Sequence, residues 1–207
     1  MRYMLELGGV AVFAISGVLA AGRKSLDLLG IAVIAVVTAI GGGTLRDVLL
    51  DRHPIFWIAD PTYLWVILGA TAVTLTYVRL WIASRRALLI ADALGLAFFT
   101  IGGVQIAQQT GHSDGIALLM GTITGVAGGV LRDMLTGEIP MVLRPGRLYA
   151  TAAIGGAGLY LVLAGQGIPI EAAALAGMAA TAGLRLAAIF WGIMLPEVRL
   201  PEDDSGS

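Results

Sequence analysis

The chain has 207 residues, 57% of them hydrophobic and only 13% charged, with a formal net charge of −1 and no cysteine. A soluble domain carries about 25% charged residues, so the composition reads as a polytopic membrane protein and predicts no nucleic-acid partner. Without thiols there is no disulfide framework and no cysteine chemistry.

A membrane span needs about 20 mainly apolar residues. Seven stretches qualify: 4–21, 28–50, 61–82, 88–108, 114–136, 147–165 and 170–195. The first ends in Val18-Leu19-Ala20, which resembles a signal-peptide cleavage site. It is nevertheless read as a span, because a matching segment recurs later where no signal can stand. The third carries Trp65, Tyr77 and Trp81, residues suited to the interfacial belts. Residues 1–195 form one membrane domain. The acidic, proline-containing tail from Pro196 to Ser207 reads as disordered.

Basic residues set the orientation. Arg23 and Lys24 follow span one, Arg79, Arg85 and Arg86 flank the junction of spans three and four, and Arg144 and Arg147 follow span five. The intervening loops offer only Arg52. The three basic loops are therefore placed in the cytoplasm, with the N-terminus outside and the C-terminus inside.

The chain matches itself at a constant offset, the 86 residues that separate Arg46 from Arg132. Phe13 falls on Phe99, Gly17-Val18 on Gly103-Val104, Thr38 on Thr124, Pro54 on Pro140 and Tyr63 on Tyr149. Even Glu6 finds an acid, Asp92. Each unit holds three spans (about 4–82 and 88–165), and an odd number reverses the second copy. The fold class expected is an all-α membrane protein of two inverted three-helix repeats plus a seventh helix. Inverted repeats of this kind place substrate or ion paths at corresponding helix breaks.

Such breaks are predicted at Gly41-Gly42-Gly43-Thr44-Leu45-Arg46-Asp47 and at Ala127-Gly128-Gly129-Val130-Leu131-Arg132-Asp133. Glycine weakens a helix interior by roughly 1 kcal/mol relative to alanine. An ionisable residue in a membrane segment costs at least about 2 kcal/mol unless paired or wetted. Both costs occur twice, which points to a polar path. A break would free carbonyls that, with the hydroxyls of Thr38, Thr44, Thr122 and Thr124, can replace part of a cation's hydration shell. The competing reading is that glycine only lets helices pack closely. That reading is favoured for Gly155, Gly156, Gly158, Gly177 and Gly183.

Arg46, Asp47, Arg132 and Asp133 are either pore-facing charges or structural ion pairs. Adjacent helical residues do not face one another, so each is expected to pair with another helix. Ser16 either faces the path or bonds back to its own helix. Phe13 and Phe99 form a hydrophobic gate or simply pack. Glu6 and Asp92 are placed at opposite mouths, where they would attract cations. Arg185 snorkels or pairs with a neighbouring acid. His53 and His112 stand isolated in loops, so no metal site is expected.

The order of spans and the paired glycine–arginine–aspartate stretches resemble the prokaryotic TRIC family, trimeric intracellular cation channels whose bacterial domain is also labelled a glycine-transporter domain. The resemblance covers residues 4–195. It implies a homotrimer in the inner membrane, surrounded by lipid, with an hourglass pore in each protomer, K⁺ or Na⁺ as permeant ion and no cofactor. It carries the kink motif to Gly41, Gly42, Gly43, Gly128 and Gly129, and the charged motif to Arg46, Asp47, Arg132 and Asp133. Where the family pattern has a third glycine, this chain has Ala127. The alternative is a secondary transporter of a small zwitterion such as glycine. No enzyme motif is present.

Overall fold

The computed structural model describes residues 2–80, 84–146, 148–194 and 196. Trp81, Arg147 and the tail beyond Pro196 lie outside the described residues. Eight α-helices are present among those described: α1 (Arg2–Ala21), α2 (Leu28–Leu49), α3 (Phe56–Ala59), α4 (Thr62–Leu80), α5 (Arg85–Gln109), α6 (Asp114–Leu135), α7 (Ala150–Gly165) and α8 (Ile170–Trp191). Six of them are long and apolar enough to cross a membrane. The expected sixth span is α7, which has only 16 residues and rises about 24 Å at 1.5 Å per residue. It falls short because Leu148 and Tyr149 do not join the helix, and Met141–Leu143 form a separate 3₁₀ turn. The short α3 was not anticipated.

Local signals explain several boundaries. Asp27 caps α2 by accepting a hydrogen bond from the Gly30 amide at 2.7 Å, and Ser84 caps α5 by accepting one from Ala87 at 3.2 Å. Gly192 takes a left-handed conformation and ends α8.

The helices pack as two hairpin pairs, α1 with α2 and α5 with α6, that cross one another. Where α1 meets α5, Gly9 lies against Phe99 and Gly95 against Phe13. Where α2 meets α6, Gly42 lies against Thr124 and Gly128 against Thr38. In both cases the partner number falls as the first number rises, so the helices run antiparallel at each crossing, and contacts recur at the 86-residue offset that relates Gly42 to Gly128. The core at the first crossing is Val10, Phe13, Ala14, Ile67 and Phe99.

α4 shows the inside-out pattern of a lipid-facing helix. Tyr63, Ile67, Thr71 and Thr74 point inward, while Trp65, Val73 and Leu80 are more than 70% exposed. Tyr77 is also exposed. α7 and α8 meet through Gly156 and Gly177, each of which lies against the other's backbone. Gly155 touches Leu184 and Gly158 barely reaches Leu118, whereas Gly183 faces open space, so the packing role expected for it is not met within this chain.

Candidate functional site

The glycine stretches are not breaks. α2 and α6 are continuous helices through both, so the freed carbonyls expected there do not exist. Close approach explains the glycines instead. A methyl group on Gly42 would collide with the Thr124 carbonyl, and one on Gly128 would stand 2.5 Å from the Thr38 carbonyl. Their neighbours are equally confined. A methyl group on Gly41 would stand 2.5 Å from the Leu131 side chain, one on Gly43 2.6 Å from the Phe56 ring, and one on Gly129 2.5 Å from the Tyr149 hydroxyl. The helix penalty of each glycine is offset by the packing that its missing side chain permits.

Thr38 and Thr124 sit at this crossing, fully buried. Each hydroxyl donates to the carbonyl four residues back, at 2.6 Å in both cases. Thr44 and Thr122 do the same at 2.8 and 2.9 Å, and Thr44 also accepts a hydrogen bond from the Trp57 indole. Phe13 and Phe99 stack with centroids 5.1 Å apart and planes 13° from parallel. The Phe13 ring also covers Gly128 and Gly95.

One turn beyond each glycine pair lies a buried charge cluster, and the antiparallel crossing puts the two clusters on opposite sides. In the first, the Arg46 guanidinium donates to Asp47 Oδ1 through Nε at 2.9 Å and approaches it through Nη2 at 2.8 Å. Arg52 reaches the same oxygen at 3.3 Å. The Phe56 amide, at the start of α3, donates to Asp47 Oδ2 at 2.9 Å. The Phe56 ring lies under Arg46 at 5.5 Å and edge-on to Tyr63, whose hydroxyl donates to Glu6 at 2.7 Å.

The second cluster repeats the plan. Arg132 donates to Asp133 Oδ1 through Nε at 2.9 Å and Nη2 at 2.7 Å. The Met141 amide donates to Asp133 Oδ2 at 2.8 Å. Tyr149 donates to Asp92 Oδ1 at 3.0 Å. Here Arg132 also donates to Asp92 Oδ1 at 2.8 Å and makes a short bond to the Ser16 hydroxyl. Arg46, Asp47, Arg132 and Asp133 are all at most 4% exposed.

Three expectations change and one alternative is settled. The adjacent arginines and aspartates do pair directly, because a guanidinium is long enough to turn across the helix end while a loop amide holds the carboxylate. Ser16 neither faces open space nor is reduced to bonding its own helix; it is a ligand of Arg132. Asp92 is fully buried in the second cluster and not at a mouth. Of the two readings for Arg185, pairing with a neighbouring acid is the one realised: it is 1% exposed and lies 3.7 Å from Asp92. Sequence reasoning missed Tyr63 and Tyr149 as site residues, although both matched in the repeat. It also missed the loop amides of Phe56 and Met141, which carry no sequence signal. Among the described residues no group of three potential metal ligands occurs, and His53 and His112 bond only locally, to Asp51 and Thr110.

A cavity of about 430 Å³ opens beside Asp133 and is lined by Arg23, Lys24, Arg85, Glu138 and Arg144. Lys24 and Arg144 both hold Glu138, at 2.6 and 3.2 Å. Three separately placed basic segments thus gather on one face.

Comparison with known proteins bears on this arrangement. The profile of the glycine transporter family matches residues 3–79 and again 89–165, the offset seen in the repeat. The chain is 46% identical over 209 residues to the UPF0126 inner membrane protein YadS of Escherichia coli K12, covering 97% of this chain and 98% of that protein. It is 46% identical over 206 residues to a UPF0126 membrane protein of Vibrio cholerae, covering 97% and 84%. Among solved structures, the TRIC trimeric intracellular cation channel orthologue of Rhodobacter sphaeroides superposes with a TM-score of 0.88 at 40% identity, over 93% of this chain and 98% of that one. A second TRIC cation channel superposes with a TM-score of 0.84 at 31% identity, over 96% and 97%.

Proposed function

This chain belongs to the prokaryotic TRIC family, and from that premise we propose that it is a cation channel of a bacterial inner membrane. In this reading it is a homotrimer, embedded in lipid through the apolar faces of helices such as α4. Each protomer conducts K⁺ or Na⁺ through an hourglass pore of its own along α2 and α6. α7 completes the second of two inverted three-helix repeats, giving seven spans. The N-terminus is outside and the C-terminus cytoplasmic. Support for the orientation is the gathering of Arg23, Lys24, Arg85 and Arg144 around one cavity.

The observation that carries the reading is the pair of charge-balanced clusters on either side of the α2–α6 crossing. An isolated arginine there would repel cations. Asp47 opposes Arg46, and Asp92 and Asp133 are opposed by Arg132 and Arg185 together, so the path is near neutrality at both constrictions. Between them, Thr38 and Thr124 spend their protons on helix carbonyls. Their remaining lone pairs are available to a partly dehydrated cation. The Phe13–Phe99 stack serves as the hydrophobic gate at the waist. Displacing either arginine from its acid turns a carboxylate, held by a loop amide, toward the path. The solved relatives are described as channels and not as enzymes.

The family profile's own description favours a second reading, a carrier of a small zwitterion. Flux in proteoliposomes separates the two. Rapid K⁺ flux that does not saturate with concentration, without glycine uptake, fits the channel. Slow saturable glycine uptake fits the carrier.

A further inference from the structure

α8 lies outside both segments that match the family profile, yet it delivers Arg185 into the second cluster. The repeat shows why an arginine is needed there. Three charged positions of the first cluster have repeat-mates of like sign in the second: Arg46 with Arg132, Asp47 with Asp133 and Glu6 with Asp92. The fourth reverses its sign. Arg52, which binds Asp47 at 3.3 Å, falls on Glu138. Glu138 turns instead to Lys24 and Arg144. Within the repeat alone, Arg132 would stand against two buried carboxylates. Two acids sharing one guanidinium in a low-dielectric site leave one charge uncompensated, and such a charge neutralises or moves.

Arg185 supplies the missing cation. Its Nη2 lies 3.7 Å from Asp92 Oδ2, the oxygen that no hydrogen bond reaches. Its guanidinium lies over the Tyr149 ring at 4.6 Å, and Tyr149 donates to the other Asp92 oxygen. The Met141 sulfur lies 3.5 Å from Nη2, and Met141 also supplies the amide that holds Asp133. Arg185 therefore touches the residues that orient both acids. We propose that Arg185 is the positioning residue for Asp92: it holds that carboxylate aimed at Arg132, so the helix outside the repeat completes the second constriction. The proposal deepens the channel reading and rests on it.

The test is planar-bilayer recording of the full chain as wild type, Arg185→Lys, Arg185→Gln and Arg185→Gln combined with Asp92→Asn, with thermal melting of the same set plus Asp92→Asn in detergent. Arg185→Gln is expected to change the K⁺/Cl⁻ permeability ratio roughly twofold or more, since a fixed charge at a narrow site acts on the permeant ion directly. Arg185→Lys should stay near wild type. The double variant should return toward wild type, because its charge balance is restored. A conducting Arg185→Gln channel with an unchanged ratio, or a double variant no closer to wild type than the single, overturns the proposal. A silent wild type overturns the channel reading. The melting data then decide the pairing: additive losses for Arg185→Gln and Asp92→Asn overturn it, and coupled losses support it.

Discussion

Gly42 meets Thr124 backbone to backbone, and at the repeat-related position Gly128 meets Thr38 in the same way. The two contacts lock α2 and α6 at one crossing point and place a charge cluster on each side of it. Enlarging either glycine should push the helices apart. Gly42→Ala and Gly128→Ala should each destabilise by about 1–3 kcal/mol through overpacking. Gly69→Ala and Gly183→Ala face open space and should be neutral or gain up to roughly 1 kcal/mol of helix propensity. Thermal melting of the four variants in one detergent checks the contrast.

Removing Asp133 should be costly because its two oxygens serve different masters. One takes two hydrogen bonds from Arg132 and the other the Met141 amide. Asp133→Asn keeps the shape but leaves Arg132 with Asp92 as its only remaining acid. Breaking one side of a buried ion pair costs about 3–5 kcal/mol. A smaller loss is expected for Arg52→Gln, since Arg52 is 37% exposed on its side chain; exposed pairs contribute about 0–1 kcal/mol. Denaturation of both variants measures the difference.

The Phe13–Phe99 stack should matter twice. Phe13→Ala removes a 1% exposed ring that covers Gly95 and Gly128, and such truncations cost about 3–5 kcal/mol. Under the gate reading, the same change should raise the resting leak of K⁺ in proteoliposomes. Instability without added leak would leave the rings as packing alone.

The Lys24–Glu138 strap should respond to pH. The hydrogen bond and charge of Lys24 hold the exposed Glu138 carboxyl below the usual glutamate range. An acid held low in the folded state lends its stability above its ordinary pKa and loses it as pH falls through the depressed value. The difference in melting temperature between wild type and Glu138→Gln should therefore be constant near neutral pH and shrink only in acid. A difference that shrinks on raising the pH from 5 to 8 would contradict the assignment.

The repeat was readable in the sequence because matched residues fall at one offset through helices and loops alike. Glu6 with Asp92 and Tyr63 with Tyr149 are the clearest cases, since both tyrosines bind the acids that the offset assigns them. The continuity of α2 and α6 was not readable. Glycine propensity describes an isolated helix, and what decides here is a second helix a few ångströms away. The Arg46–Asp47 contact was also hidden, because the rule against adjacent pairs concerns Cβ directions and not the reach of a long guanidinium. Arg185 has no repeat-mate, so nothing in the chain's self-similarity tied it to Asp92. The sixth span looked longer in composition than α7 is in the fold, since apolarity alone does not say where a helix starts.

Unitary recording of the purified wild-type protein in a planar bilayer with asymmetric KCl separates a cation channel from an anion pore or a carrier. A cation channel gives discrete openings whose current reverses near the K⁺ equilibrium potential, and this is the expected result. Currents that reverse near the Cl⁻ equilibrium potential, or a silent bilayer from protein that takes up glycine in liposomes, would contradict it.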